Sequence, residues 1–209
     1  MAREWWRRLP AAERREYQRS ETISRVELPP DRAFAARVES IERALAAADR
    51  DATERASQRL VNRITRGLAI GPVMISVRGR RPPDGGGELH GIYRPTEGDQ
   101  HARISVWMRT AKRDQVVAPR TFLRTLLHEV GHHIDMELLD LPHSYHSKGF
   151  YQRESSLFRA VTRRSELAAS VRRNRARQPP PPPRPADVRR GLDLLRAAVD
   201  DIAARRRRE

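Results

Sequence analysis

The chain has 209 residues, of which 38% are hydrophobic and 33% charged, enough for one sizeable core with polar extensions. It has no cysteine, so disulfides, thiolate metal ligands and a cysteine nucleophile are all excluded. The formal net charge is +15, carried almost wholly by Arg, and a surface of that sign suits a polyanion such as nucleic acid.

Residues 2 to 20 read as a polar, Arg-rich helical arm. Trp5 and Trp6 near its front are expected to pack on the core rather than to meet a partner or stack on bases. Pro29 and Pro30 punctuate the chain, and Asp31 is the expected N-cap of a helix with Phe34, Val38, Ile41 and Leu45 at helical spacing. A second helix is predicted over 51 to 66 from Leu60, Val61 and Ile64, stopped by Gly67. Pro72 to Val77, Leu89 to Tyr93 and Arg103 to Met108 read as three strands. Residues 80 to 87 are a Pro/Gly turn region, and 95 to 100 are a polar connection. Ile104, Val106 and Met108 alternate with Arg103, Ser105 and Trp107, as on a strand with one covered face.

Pro119 and Thr121 open a long helix running to about Leu141, where Pro142 ends it. Leu123, Leu127, Val130, Ile134 and Leu138 form its apolar stripe. A further helix begins near Ser147 and runs to about Val171. The proline run within 174–185 is a linker. Val188, Leu192, Leu195, Val199 and Ile202 mark a basic amphipathic helix over 186–209. From Arg153 onward there are 16 Arg against 7 acidic residues, so the expected nucleic-acid contacts are assigned to Arg-rich tails. A general bias for Arg over Lys is the plainer explanation of the same numbers. No run reaches the roughly 18 apolar residues of a membrane helix, and the basic start lacks the apolar stretch of a signal peptide, so the expected location is the cytoplasm.

The chemistry concentrates in His128-Glu129-Val130-Gly131-His132. Spacing of i and i+4 sets both imidazoles on one helix face, about a turn apart, as two zinc ligands require. Glu129 lies about 100° around the axis, placed to take a proton from a water and return it to a leaving group. Gly131 costs helix propensity, roughly 1 kcal/mol, which the close approach of another segment would explain. One further ligand is needed. His146 is the first choice, just past the turn that Pro142 enforces and four residues before Phe150, an apolar wall for the site. Glu154 is the main alternative and His143 a lesser one. If His146 ligates, Glu154 is expected to accept from a ligand histidine or to pair with an Arg. Asp135 shares the ligand face and is a candidate to orient an imidazole. His133 points away from that face and reads as structural or solvent-facing. The hydroxyls of Tyr145 and Tyr151 flank the third ligand and are candidates for stabilising an oxyanion.

The run from His128 to His132, followed by His146-Ser-Lys-Gly-Phe150, resembles the core of the SprT-like and WLM-type minimal zinc metallopeptidases over about residues 72 to 165. The resemblance implies His128, His132 and His146 as zinc ligands, Glu129 as the base, and a protein or peptide substrate. It also implies a sheet edge, best supplied by Arg103 to Met108, that pairs with an extended peptide. The cysteine-rich tail of some such proteins is absent. The expected fold class is α+β: a minimal zincin-like core with a small, mainly antiparallel three-stranded sheet on the active-site helix and extra terminal helices. The corresponding domains are an N-terminal helical region (1–66), the core (67–173), the linker (174–185) and the terminal helix (186–209). The expected enzyme is a zinc metalloendopeptidase. The alternative is an Arg-rich nucleic-acid-binding or regulatory protein whose metal site is structural or vestigial.

Overall fold

A computed structural model describes residues 5–80, 82 and 91–177, the last fifteen of these as helical backbone alone. The sheet and the candidate site described below lie in the unit that ends at Ala169. Among the described residues the fold is α+β, with five α-helices and one three-stranded mixed sheet. No helix there is long and apolar enough to cross a membrane.

A short 3₁₀ turn, Trp5–Arg8, leads into α1, Ala11–Thr22. The two tryptophans pack on aromatic rings. Trp6 stacks on Tyr17 at 5.4 Å, and Trp5 meets Tyr17 and Tyr145 edge-on at 5.7 Å while staying half exposed. Helices α2, Ala33–Ala46, and α3, Arg50–Leu68, bury the expected apolar stripes against each other. Their signals sit one or two residues from the predicted places. Asp31 accepts from the Ala33 N–H at 2.9 Å, but the cap residue of α2 is Arg32. Helix α3 runs through Gly67 and closes on Ala69, which takes the left-handed conformation at φ 54°. Asp49 caps α3 by accepting from the Ala52 N–H at 2.8 Å.

The sheet is made of β1, Met74–Arg80, β2, Gly91–Arg94, and β3, Arg103–Arg109. Its order is β1-β3-β2, parallel between β1 and β3 and antiparallel between β2 and β3. This corrects two expectations. The sheet is mixed rather than mainly antiparallel, and β3 is the central strand rather than the peptide-binding edge. The burial of β3 agrees, because Ser105 and Trp107 are covered as well as Ile104, Val106 and Met108, so neither face is solvated. The outer edge of β1 is occupied by α3. Glu54 and Gln58 accept from the N–H groups of Val77 and Ile75 at 2.8 Å, and Gln58 donates to the Val73 carbonyl at 2.9 Å. Among the described residues no further strand pairs with the outer edge of β2.

Helix α4, Pro119–Glu137, packs Leu123, Leu127, Val130 and Ile134 into the core, joined by Phe122 and Leu126. It ends before the predicted Leu141. The Leu138 and Leu139 N–H groups both return to the Ile134 carbonyl, and Leu141 N–H to that of Asp135, so the chain turns before Pro142 is reached. Leu138 therefore leaves the stripe and is exposed. Helix α5, Lys148–Arg177, begins where Ser147 accepts from the Phe150 N–H at 3.1 Å. It continues past Val171 and beyond the predicted start of the linker at 174. The rest of the linker and the basic amphipathic helix over 186–209 lie outside the described residues.

Candidate metal centre

Helix α4 presents His128 and His132 one turn apart, and the 138–147 turn brings His146 back over them. The Nε2 atom of His146 lies 3.1 Å from Nε2 of His128 and 3.1 Å from Nε2 of His132. Two nitrogens each ~2.0 Å from a tetrahedral ion sit about 3.3 Å apart, so three imidazole nitrogens gathered this way fit one metal. They form a three-histidine cluster able to hold an ion. Phe150 closes the back of the cluster, its ring centre 4.8 to 5.1 Å from the three imidazoles. The same ring explains Gly131, where a Cβ would approach Phe150 to 3.3 Å.

The outer nitrogens of two of these rings are engaged. His128 Nδ1 lies 3.2 Å from Glu154 Oε2, and Arg124 holds the other oxygen of that carboxylate at 3.4 Å. His132 Nδ1 lies 2.8 Å from Ser144 Oγ, which in turn donates to Asp135 Oδ2 at 3.0 Å. Burial, together with neighbouring His128 and His146, pushes the His132 pKa down to about 3. His146 is lowered too, chiefly by burial. Both rings are therefore neutral near pH 7, the form that ligates.

Glu129 is buried, on the far side of the helix turn from Phe150's wall, against β2. The Tyr93 N–H, pointing off the strand edge, donates to its carboxylate. Gly91 gives it room, since a Cβ there would stand 2.5 Å from Glu129 Oε1. Burial raises the Glu129 pKa to about 7 against the opposing pull of His128 and the Tyr93 N–H. A cavity of about 720 Å³ joins these parts, lined by Gly91, Tyr93, His128, Glu129, His132 and His146 among others.

The remaining candidates fall into place around this centre. His133 is fully buried, 2.9 Å from the Gly71 carbonyl and 3.1 Å from the Tyr93 hydroxyl, so it is structural. His143 pairs with Glu16 at 2.6 Å and is not among the three gathered donors. The Tyr145 hydroxyl donates to Glu13 at 2.5 Å, which commits it to α1. Tyr151 is half exposed, its ring 5.7 Å from that of His146. Tyr93, Gly91, Ser144 and Arg153 are the site residues that the sequence reading did not single out. Arg153 is buried against Asp135.

No family model matches the chain, and no curated protein or solved structure is significantly similar to it. The resemblance to the SprT-like and WLM-type metallopeptidases is accordingly corrected. So is the description of a zinc metalloendopeptidase of the His-Glu-x-x-His type that went with it: among the described residues the gathered donors are three imidazoles alone. What the structure supports is a three-histidine cluster that can hold a metal, with the buried Glu129 carboxyl and strand β2 beside it.

Proposed function

We propose that the protein hydrolyses peptide bonds with a divalent ion, zinc, held by His128, His132 and His146, and with Glu129 moving the proton. The observation that carries this reading is the convergence of three imidazole Nε2 atoms in a cavity that also contains a buried carboxyl with a pKa near neutrality. An all-imidazole donor set suits zinc, which when bound would polarise a carbonyl and make a water more acidic. The protein's own groups do the rest. His128 and His132 are oriented from behind by Glu154 and Ser144. The Glu129 carboxylate takes a proton as a water oxygen adds to the scissile carbonyl, then gives it to the amine nitrogen as the C–N bond breaks. Burial raises the pKa of this carboxyl above the ordinary carboxylate value in the metal-free site, in the direction that makes it a better proton acceptor.

The outer edge of β2 supplies the place for an extended peptide, because its backbone borders the cavity while the β1 edge is taken by α3. The test is Glu129→Gln in protein loaded with zinc. The expected result is metal content equal to that of the unaltered protein and a loss of peptide hydrolysis of 10²-fold or more. Full hydrolysis by the metal-loaded variant would remove Glu129 from the mechanism.

A further inference from the structure

The buried polar chain behind His132 runs further than a metal site needs for packing. Arg153 is 3% exposed and Asp135 is 1% exposed, and every N–H of the guanidinium is used. Nε donates to Asp135 Oδ1 at 3.0 Å, and Nη2 to Asp135 Oδ2 at 2.8 Å and Ser20 Oγ at 3.1 Å. Nη1 donates to the carbonyls of Ser20 at 2.9 Å and Ile23 at 2.7 Å, at the end of α1. Both Asp135 oxygens thus accept from a permanent cation, an arrangement that favours the ionised carboxylate. Burial pulls its pKa the other way, upward.

A carboxylate only accepts, so the single hydroxyl proton of Ser144 must go to Asp135. The contact between Ser144 Oγ and His132 Nδ1 can then be a hydrogen bond only if Nδ1 carries the proton. We propose that Ser144 and Asp135, anchored by Arg153 and through it by α1, are positioning residues that fix His132 as the Nδ1–H tautomer with the bare Nε2 turned towards His128 and His146. The N-terminal helix is by this account part of the centre. The backbone is shaped for the task at Ser144, which sits at φ 41°. A strained hydroxyl position reached by a buried ion pair is a costly arrangement for packing alone.

The tautomer stands on these hydrogen bonds; only its consequence for affinity rests on the proposed zinc site. The experiment uses the full chain with ¹⁵N-labelled histidine, metal-free, and separately a zinc titration in competition with a chromophoric chelator. Ser144→Gly removes the hydroxyl and suits a positive φ. Arg153→Lys keeps the charge and loses the five-donor fork. In the unaltered protein His132 should show a protonated Nδ1 and an unprotonated Nε2. In Ser144→Gly the ring should become a tautomer mixture, with zinc affinity down about 10- to 100-fold. Arg153→Lys should move both readouts the same way by less. A protonated Nε2 in the unaltered protein overturns the proposal. So does a folded Ser144→Gly protein that keeps one tautomer and full zinc affinity. If the unaltered protein shows the Nδ1–H tautomer yet takes up no zinc, the positioning inference is supported and the metal reading fails.

Discussion

Gly91→Ala is the substitution for which the structure gives the clearest quantitative expectation. The new Cβ would lie 2.5, 2.7 and 2.8 Å from Oε1, Cγ and Cδ of Glu129. Ordinary contact between such atoms begins near 3.5 Å, so one of the two must give way by roughly 1 Å. Gly91 is held in register opposite Val106 on β3, whereas Glu129 is a side chain with torsional freedom. The carboxyl is therefore the part that moves, and it moves away from the Tyr93 N–H that now holds it. Misplacing a reacting group by 1 Å costs on the order of 10²-fold in rate. The three atoms nearest the new Cβ all belong to Glu129 and none to an imidazole, so zinc affinity should be unchanged. Overpacking should lower stability by about 1–3 kcal/mol, which leaves the protein folded at 25 °C. The measurement is kcat and KM on a fluorogenic peptide mixture with metal content determined on the same sample. The expected result is a fall in kcat at constant metal occupancy. Unchanged kcat with zinc bound would refute the placement of Glu129 as proton carrier, and loss of zinc would show that the β2 edge supports the ligands themselves.

Three other outcomes follow from the geometry. Gly149→Ala puts a Cβ 1.8 Å from the backbone oxygen of Ser20, so α1 must part from the start of α5. Chemical denaturation should show a loss of about 3 kcal/mol or more, and a loss below about 1 kcal/mol would contradict that packing. Zinc at 100 times its Kd should add about 2.7 kcal/mol of stability, and a chelator should remove it, read as a drop of roughly 5–10 °C in Tm; a Tm indifferent to chelator counts against the site. The third concerns pH. The hydrogen bond to Glu16 raises the His143 pKa above its ordinary value, so its contribution is fully present below the unfolded pKa of about 6.5 and is lost as pH rises through the raised folded value. Stability curves of the unaltered protein and Glu16→Gln should converge above that window and separate below it, by a small amount because the ring is largely exposed. Parallel curves across the window would show that the pair does not titrate with folding.

Helix positions were legible in the sequence because their causes are local. Period and punctuation fixed α2, α3 and α4 to within a few residues, and Ser147 marked the start of α5. Strand pairing depends on which segments meet in three dimensions, so the order and sense of the strands are not local properties. The alternation in β3 suggested one solvated face, since Ser105 is small and Trp107 amphipathic, yet both are covered because β3 lies between its neighbours. Nothing local distinguishes a central strand of that composition from an edge. The polar residues that seal β1, Glu54 and Gln58, look in sequence like the solvent face of an amphipathic helix.

The same division runs through the site. His128, His132 and Phe150 follow from helical spacing, and the turn at 138–147 makes His146 accessible to them, so the three-histidine cluster could be anticipated. Glu154 and Asp135 behind the imidazoles could be anticipated too, but the groups that connect and make room for them could not. Ser144 and Arg153 act through partners 9 to 133 residues away, and Gly91 acts by lacking an atom where Glu129 needs room. These distant contacts also change the meaning of the N-terminal arm. Its acids Glu13, Glu16 and Glu21 accept from the Tyr145 hydroxyl, from His143 and from the Lys148 N–H, and Arg19 donates to the carbonyls of Leu139 and Asp140. Each of these is exposed or partly exposed and individually weak. Together with the buried Arg153 contacts they fasten one helix to both ends of the loop that carries His146. A metal ligand on a loop needs such a support, because freedom of the loop would be lost on every binding event and would lower affinity accordingly. Cutting the arm back to residue 25 should therefore weaken zinc binding more than removal of any one of these contacts, and a truncated protein that is folded and binds zinc at full strength would show that the loop holds His146 unaided.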